Sequence, residues 1–438
     1  MKITKLMILL VLFTYLVYPQ TRVEDIQTFT LKNGMKFIVL EDHSIPNANL
    51  YIFFKVGSRN EYPGITGLSH FFEHMMFNGA KKYGPGMFDK VMEANGGANN
   101  AYTSENVTVY TDWFPADKMD VMFELEADRI GDLALDDKMV ESERGVVLSE
   151  RITSMENSHF SFLDEQVKGV AYLAHPYRWS VIGYESDIRN WKKEDLQRYF
   201  DTYYAPNNAV AVVVGAVDTA TVKTLAEKHF APIPRRPAPR PVHTKEPEQL
   251  GEKRLIVKRA VSTPNLMIVH HIPQANSEDF YPLSLLNSIL TEGRSSRLYK
   301  SLIDEQQLAV RLFSFFPKSF DPTLFYIYAI AARNVDENKL EQAIYKEIDA
   351  IIKEGVTDKE LKKVQNRKVM EFYRSMETIN RRANSIGEYE VFFGGYEKLF
   401  AAPDKYKAVT IEDIKKVAAK YFKKSNRTVG ALKKDEEA

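Results

Sequence analysis

His70 and His74, four residues apart with Glu73 between them, are the side chains of this sequence best suited to chemistry. On a helix, residues i and i+4 project from one face about one turn apart, so both imidazoles can hold one metal ion. Glu73 follows His70 by three residues. It therefore shares that face, near enough to take a proton from an attacking water. The order His-x-x-Glu-His inverts the commoner His-Glu-x-x-His. A catalytic zinc usually has three protein ligands and an open position, so a carboxylate must come from elsewhere in the chain. The stretch from Glu141 to Arg151 reads as a helix on which Glu143 and Glu150, seven apart, share a face. One could ligate while the other supports, and spacing does not choose between them.

These residues need a scaffold. Phe29 to Leu31 and Lys36 to Leu40 read as strands flanking Asn33-Gly34, the dipeptide that best supports a tight hairpin. Asn49 to Val56 is a further strand, and Ile65 to Phe77 carries helical spacing up to Asn78-Gly79. Val107 to Phe114 reads as a strand, and Asp117 to Leu133 and Lys138 to Met155 as helices. A helix over Asp195 to Tyr204 feeds a strand over Ala209 to Val214. The class is α+β.

Six prolines between Pro232 and Pro247, with few apolar residues, read as a semi-rigid connector between two domains. The flanking segments echo each other. Asp195-Leu196, Tyr203-Tyr204 and Asn208 recur 218 residues later as Asp413-Ile414, Tyr421-Phe422 and Asn426, which predicts a duplicated domain.

A chain of 438 residues with 44% apolar content can fill two or more cores. Its 59 basic and 59 acidic residues cancel, so no overall field recruits nucleic acid or an anionic membrane. With no cysteine, a metal site must be built from histidine and carboxylates. Lys2 and Lys5 precede an apolar run from Leu6 to Val17, the pattern of a secretory signal ending near residue 22. The run is short for a membrane span of about 20 residues, so the mature protein is expected in the periplasm or outside the cell, without a stable span. An uncleaved N-terminal anchor is the alternative.

The segment His70-Phe71-Phe72-Glu73-His74-Met75-Met76-Phe77-Asn78-Gly79, with Glu143 and Glu150 about 70 residues on, resembles the pitrilysin and insulinase family, especially its short bacterial and mitochondrial-processing-peptidase-like branch. The resemblance implies two homologous α+β-roll domains, at 23–231 and 249–434, joined as a clamshell by the Pro-rich linker 232–248. It implies one Zn2+ per chain, with Glu150 as third ligand and Glu143 as an outer glutamate supporting the site. It also implies that Asn100, Ala101 and Tyr102 belong to an edge strand on which an unfolded peptide lies as an added strand. The implied activity is that of an exported zinc metalloendopeptidase.

One part of the family pattern is missing. Active members carry an Arg and a Tyr, seven apart, in a C-terminal domain to hold the substrate carbonyl and its oxyanion. Ile303 and Val310 stand at the matching positions. Arg297 and Tyr299 lie nearby at the wrong spacing and read as structural. The resemblance therefore implies a homologous partner subunit that supplies the pair, this chain being the catalytic subunit of a heterodimer. The alternative is a non-catalytic or weakly active binding or assembly subunit of the same fold. His270-His271, adjacent on an expected strand, point to opposite faces and read as packing residues.

Overall fold

A computed structural model describes residues 21–435. The expected signal segment, 1–22, lies outside these but for its last two residues.

The first half is built on a six-stranded sheet of order β1-β2-β6-β3-β5-β4. Its strands are β1 (Ile26–Thr30), β2 (Lys36–Glu41), β3 (Asn47–Phe54), β4 (Ala98–Thr103), β5 (Thr108–Pro115) and β6 (Ala209–Gly215). Helices α1 (Leu68–Met75), α2 (Met87–Ala94), α3 (Met119–Gly131), α4 (Asp137–Asn157), α5 (His159–Ala171), α6 (Glu185–Asn190), α7 (Lys193–Tyr203) and α8 (Thr219–His229) accompany it. The hairpin expected at Asn33-Gly34 joins β1 to β2, with Thr30 opposite Lys36 and Gly34 at φ +97°. Asn33 does more than turn the chain. Its amide donates to the carbonyls of Phe230 and Ile233, tying the hairpin to the start of the Pro-rich connector.

The second half repeats this plan. Its sheet, ordered β7-β11-β8-β10-β9, comprises β7 (Lys253–Arg259), β8 (Asn265–Ile272), β9 (Ala309–Phe315), β10 (Thr323–Ala331) and β11 (Arg427–Lys434). Helices α9 (Phe280–Thr291), α10 (Arg297–Tyr299), α11 (Glu337–Glu354), α12 (Asp358–Ser375), α13 (Ile379–Glu388), α14 (Glu397–Ala408) and α15 (Ile411–Tyr421) complete it. Apart from β1 the strand orders coincide. The β2–β6 and β7–β11 pairs are parallel, and the other pairs are antiparallel. The echo in the sequence has a physical counterpart. Asn208 donates to the carbonyls of Tyr203 and Lys55, and Asn426 donates to those of Tyr421 and His271. Each asparagine joins the end of a helix to the strand neighbouring the one that follows.

The halves exchange helices. One face of the first sheet packs on its own helices through Phe37, Ile52, Phe71 and Phe123. The other face, with Phe53 and Val212, shares a core with Ile379, Ala383 and Ile386 of α13, which lies across β6 and β3. Reciprocally, Leu163 and Val167 of α5 pack on Met267, Val269 and Leu432 of the second sheet. Where the elements press closest, a glycine replaces a side chain. A Cβ at Gly387 would stand 2.0 Å from Phe53 Cε2, in a ring with no exposed surface. Gly387→Ala is therefore expected to destabilise the fold by about 1–3 kcal/mol, because a close-packed ring cannot step aside. Chemical denaturation would read this as a lower midpoint at unchanged slope, and an unchanged midpoint would contradict the packing.

Among the described residues, no helix is long and apolar enough to cross a membrane. The Pro-rich connector runs without regular structure, and Glu246 pins it by accepting the N–H groups of Leu173, Ala174 and His175 just beyond α5.

Candidate metal centre

Helix α1 is short, and its start is fixed by tertiary contacts. Gly67 at its N-cap adopts φ +91°, and a Cβ there would meet the Ile182 carbonyl oxygen at 2.5 Å. Buried Glu61 accepts the N–H groups of Gly67 and Ser69, two of the donors a helix leaves unpaired at its start. Leu68, Phe71, Phe72 and Met75 are fully buried, which turns His70, Glu73 and His74 toward the opposite, partly open side.

Helix α4 runs beside α1. Asp136 caps it by accepting the N–H groups of Lys138 and Met139. Val140 and Val147 are its buried contacts, and Arg144 is tied to the carbonyls of Ile188 and Trp191. These anchors fix the rotation of α4 so that Glu143 and Glu150 meet the histidines of α1.

The two glutamates do different things. Glu150 Oε2 lies 3.6 Å from His70 Nε2 and 3.5 Å from His74 Nε2. Glu143 Oε1 instead sits 2.7 Å from His74 Nδ1, while its Oε2 accepts from Asn78 Nδ2 at 2.7 Å. Ligands about 2.0–2.2 Å from a tetrahedral zinc stand about 3.4 Å from one another. The two Glu150 distances match that spacing. Glu143, occupied at Nδ1, leaves His74 Nε2 free toward the same point, which is how outer carboxylates orient a ligating imidazole. Among the described residues, one other group brings three possible ligand atoms within 4.8 Å, Glu41, His43 and Asp218, and all three are exposed.

The electrostatics fit a cation. Three carboxylates, Glu73, Glu143 and Glu150, converge on two imidazoles. Burial and the neighbouring His74 push His70 down to about 4, so its ring is neutral at pH 7 with a lone pair to donate. The hydrogen bond that Glu143 accepts from His74 raises His74, and the same contact lowers Glu143. Burial raises Glu73, with Thr103 and His74 pulling the other way. A carboxylate raised in this manner holds a proton more readily than a free one, which suits a group that takes a proton and returns it.

The other expected site residues lie as follows. Asn100, Ala101 and Tyr102 are on β4, the outermost strand of the first sheet, beside α1. Ala101 faces the helical layer, while Asn100 and Tyr102 are exposed on the opposite face. Ile303 packs against the apolar core of the second half, and Val310 stands at the free edge on β9. Arg297 is ion-paired with Glu360 at 2.7 Å. His270 packs at a tilt against Phe422 and His271 edge-to-face against Tyr172, each as a packing residue. Sequence reading missed Glu61, Asn78 and Thr103. Asn78 was visible only as part of the Asn-Gly pair that ends the helix and the family motif, with no role of its own.

Comparison with known proteins gives the family of the chain. Residues 36–183 match the family described as Insulinase (Peptidase family M16), and residues 190–368 match the Peptidase M16 inactive domain. The chain is 31% identical over 436 residues to the zinc protease PqqE of Helicobacter pylori, covering 97% of each chain. It is 25% identical to the mitochondrial-processing peptidase subunit beta of Lentinula edodes, covering 90% of this chain and 86% of that one. The crystal structure of a protease from Helicobacter pylori superimposes with a TM-score of 0.90 at 30% identity, covering 93% of this chain and 99% of the other. The inverted histidine helix, its glutamate-bearing neighbour and the doubled sheet thus sit in a chain that belongs to the insulinase-type M16 peptidase family.

Proposed function

We propose that the chain is an exported zinc metalloendopeptidase acting on unfolded peptides, and the catalytic member of a pair of homologous subunits. His70, His74 and Glu150 would hold one Zn2+, and the observation that carries this is that Glu150 Oε2 lies 3.6 and 3.5 Å from the two Nε2 atoms, with all three ligand atoms within 4.8 Å of one another. Zinc bound there supplies the Lewis acidity that makes water a nucleophile at neutral pH and polarises a carbonyl.

The chain's own residues do the rest. Glu73 takes the proton of the attacking water and later returns it to the leaving amine. Glu143 keeps the His74 ring in the orientation and tautomer that leave Nε2 free. Asn100, Ala101 and Tyr102 offer the unpaired edge of β4 to an extended peptide, which pairs through its backbone and so tolerates many sequences. The site lies on the face of α1 beside that strand. The proposed units are 23–231, the linker 232–248 and 249–434, with export resting on the Lys2-Lys5 and Leu6–Val17 pattern.

Zinc analysis with peptide cleavage tests this reading. His70→Ala is expected to lose the metal and activity together. Glu143→Gln is expected to weaken zinc binding by about 10–100-fold, as removal of an outer partner typically does, without emptying the site at saturating zinc. Competition with a chelator measures both, and unaltered affinity in Glu143→Gln would remove that residue from the site. A second reading, an assembly or binding subunit without useful catalysis, is favoured by Ile303 and Val310, whose side chains cannot donate to an oxyanion. Stoichiometric zinc with no cleavage in any pairing would establish it.

A further inference from the structure

The second half leaves part of the first sheet uncovered. Helix α13 lies over β6 and β3, on the face that carries Phe53. Cross-strand pairing fixes what shares that face farther out. Asn100 lies opposite Thr111, which lies opposite Tyr51, and Tyr102 lies opposite Val109, which lies opposite Phe53. Beyond α13 the same face stays open, with Tyr102 39% exposed and Trp113 42% exposed. A cavity of about 450 Å3 opens there, between Tyr51 and the facing sides of α12 and α13.

Its polar lining consists largely of donors. The Asn380 side-chain carbonyl accepts from Tyr51 and Asn49, and that of Asn384 accepts from Tyr102. With their oxygens occupied, both amides have NH2 groups left to donate, and neither donates to another described residue. Arg374 lines the same cavity, and its guanidinium has no ion pair or hydrogen bond among the described residues. The Arg381 guanidinium reaches exposed Glu377 at 3.4 Å and donates to the Arg374 carbonyl at 3.3 Å, with no other partner among the described residues. Glu371, a lining carboxylate, is already paired with Arg367 and Lys368. Glu388, nearby on α13, is paired with Lys318.

We infer that this cavity is a substrate subsite that selects a carboxylate side chain, Asp or Glu, on a peptide bound along β4. The inference rests on the strand-addition reading above. An added strand turns alternate side chains to opposite faces, so every second residue of the peptide points toward Arg374, Arg381 and the two amides. Planar guanidinium and amide donors suit a carboxylate and offer nothing to an ammonium group. The second half then reads charge while the metal helix remains indifferent to it.

Zinc-loaded Glu73→Gln chain, titrated with fluorescent, C-terminally amidated decapeptides, tests this without turnover. Each peptide is neutral but for one Glu or one Lys moved along the sequence. Glu is expected to bind at least tenfold tighter than Lys at alternate positions, with no preference between them. Adding R374E and R381E should reverse that order, and the milder N384D should reduce it. Equal affinities at every position, or an order unmoved in both sets of variants, would overturn the subsite. If those peptides bind without charge preference and wild type cleaves them, the peptidase reading stands while the subsite falls. If they neither bind nor are cleaved, both fall.

Discussion

Glu73→Gln is expected to abolish peptide cleavage, with a loss of about 10²–10⁴-fold, while the protein still binds one zinc per chain. The two outcomes separate because Glu73 is not among the three residues whose ligand atoms converge. It lies on the same turn of α1, against Thr103 and near Glu150, where burial raises its proton affinity. A carboxamide of the same size keeps the packing of α1 but cannot accept the proton of an attacking water. Metal content by elemental analysis and single-turnover cleavage of an unstructured peptide form the test. Cleavage at more than about a tenth of the wild-type rate would take the base away from Glu73, since general-base catalysis contributes at least about a hundredfold. Loss of zinc in this variant would instead make it a ligand and leave the proton transfer unassigned.

The chemistry of this helix was legible because it is local. Three residues at positions i, i+3 and i+4 share a face whatever the rest of the chain does. Glu143 and Glu150 were legible as a pair for the same reason, but not as ligand and support. That distinction depends on how α4 is rotated against α1, which Arg144 sets by reaching carbonyls more than 40 positions away. The hairpin at Asn33-Gly34 and the doubled helix-to-strand unit ending at Asn208 and Asn426 were also readable, each from a short run with its own turn or periodicity. What escaped lies outside any helix or strand period. Asn78 meets Glu143 across 65 positions, and Glu61 reaches forward across a loop to cap α1. The exchange of α5 and α13 between the halves left no periodic signature. Each is simply an amphipathic helix, and the sheet it meets is recorded only in small contacts, Gly387 of α13 against Phe53 and Gly430 of β11 against Val167 of α5.

The isolated chain is expected to cleave peptides slowly, and a homologous subunit bearing Arg and Tyr at the positions of Ile303 and Val310 should raise the rate by at least about a hundredfold. Each oxyanion donor typically contributes about 2.7–4 kcal/mol, so one well-placed group accounts for that factor. Neither side chain here can contribute. Ile303 has no polar atom and packs against the core of the second half, and Val310 is 63% exposed on the edge strand β9. Restoring the pair within this chain is not the expected remedy, because an arginine at 303 would set a guanidinium against that apolar core. On the proposed reading, the missing donors reach the peptide from a second chain while this one holds it on β4. Steady-state assays at fixed chain concentration, titrated with such a subunit, should show the rate saturating near one to one. A rate that is high without the partner and unmoved by adding it would mean that the chain stabilises the oxyanion with groups of its own. Arg374 and Arg381, on the wall facing β4, would then be the first side chains to replace.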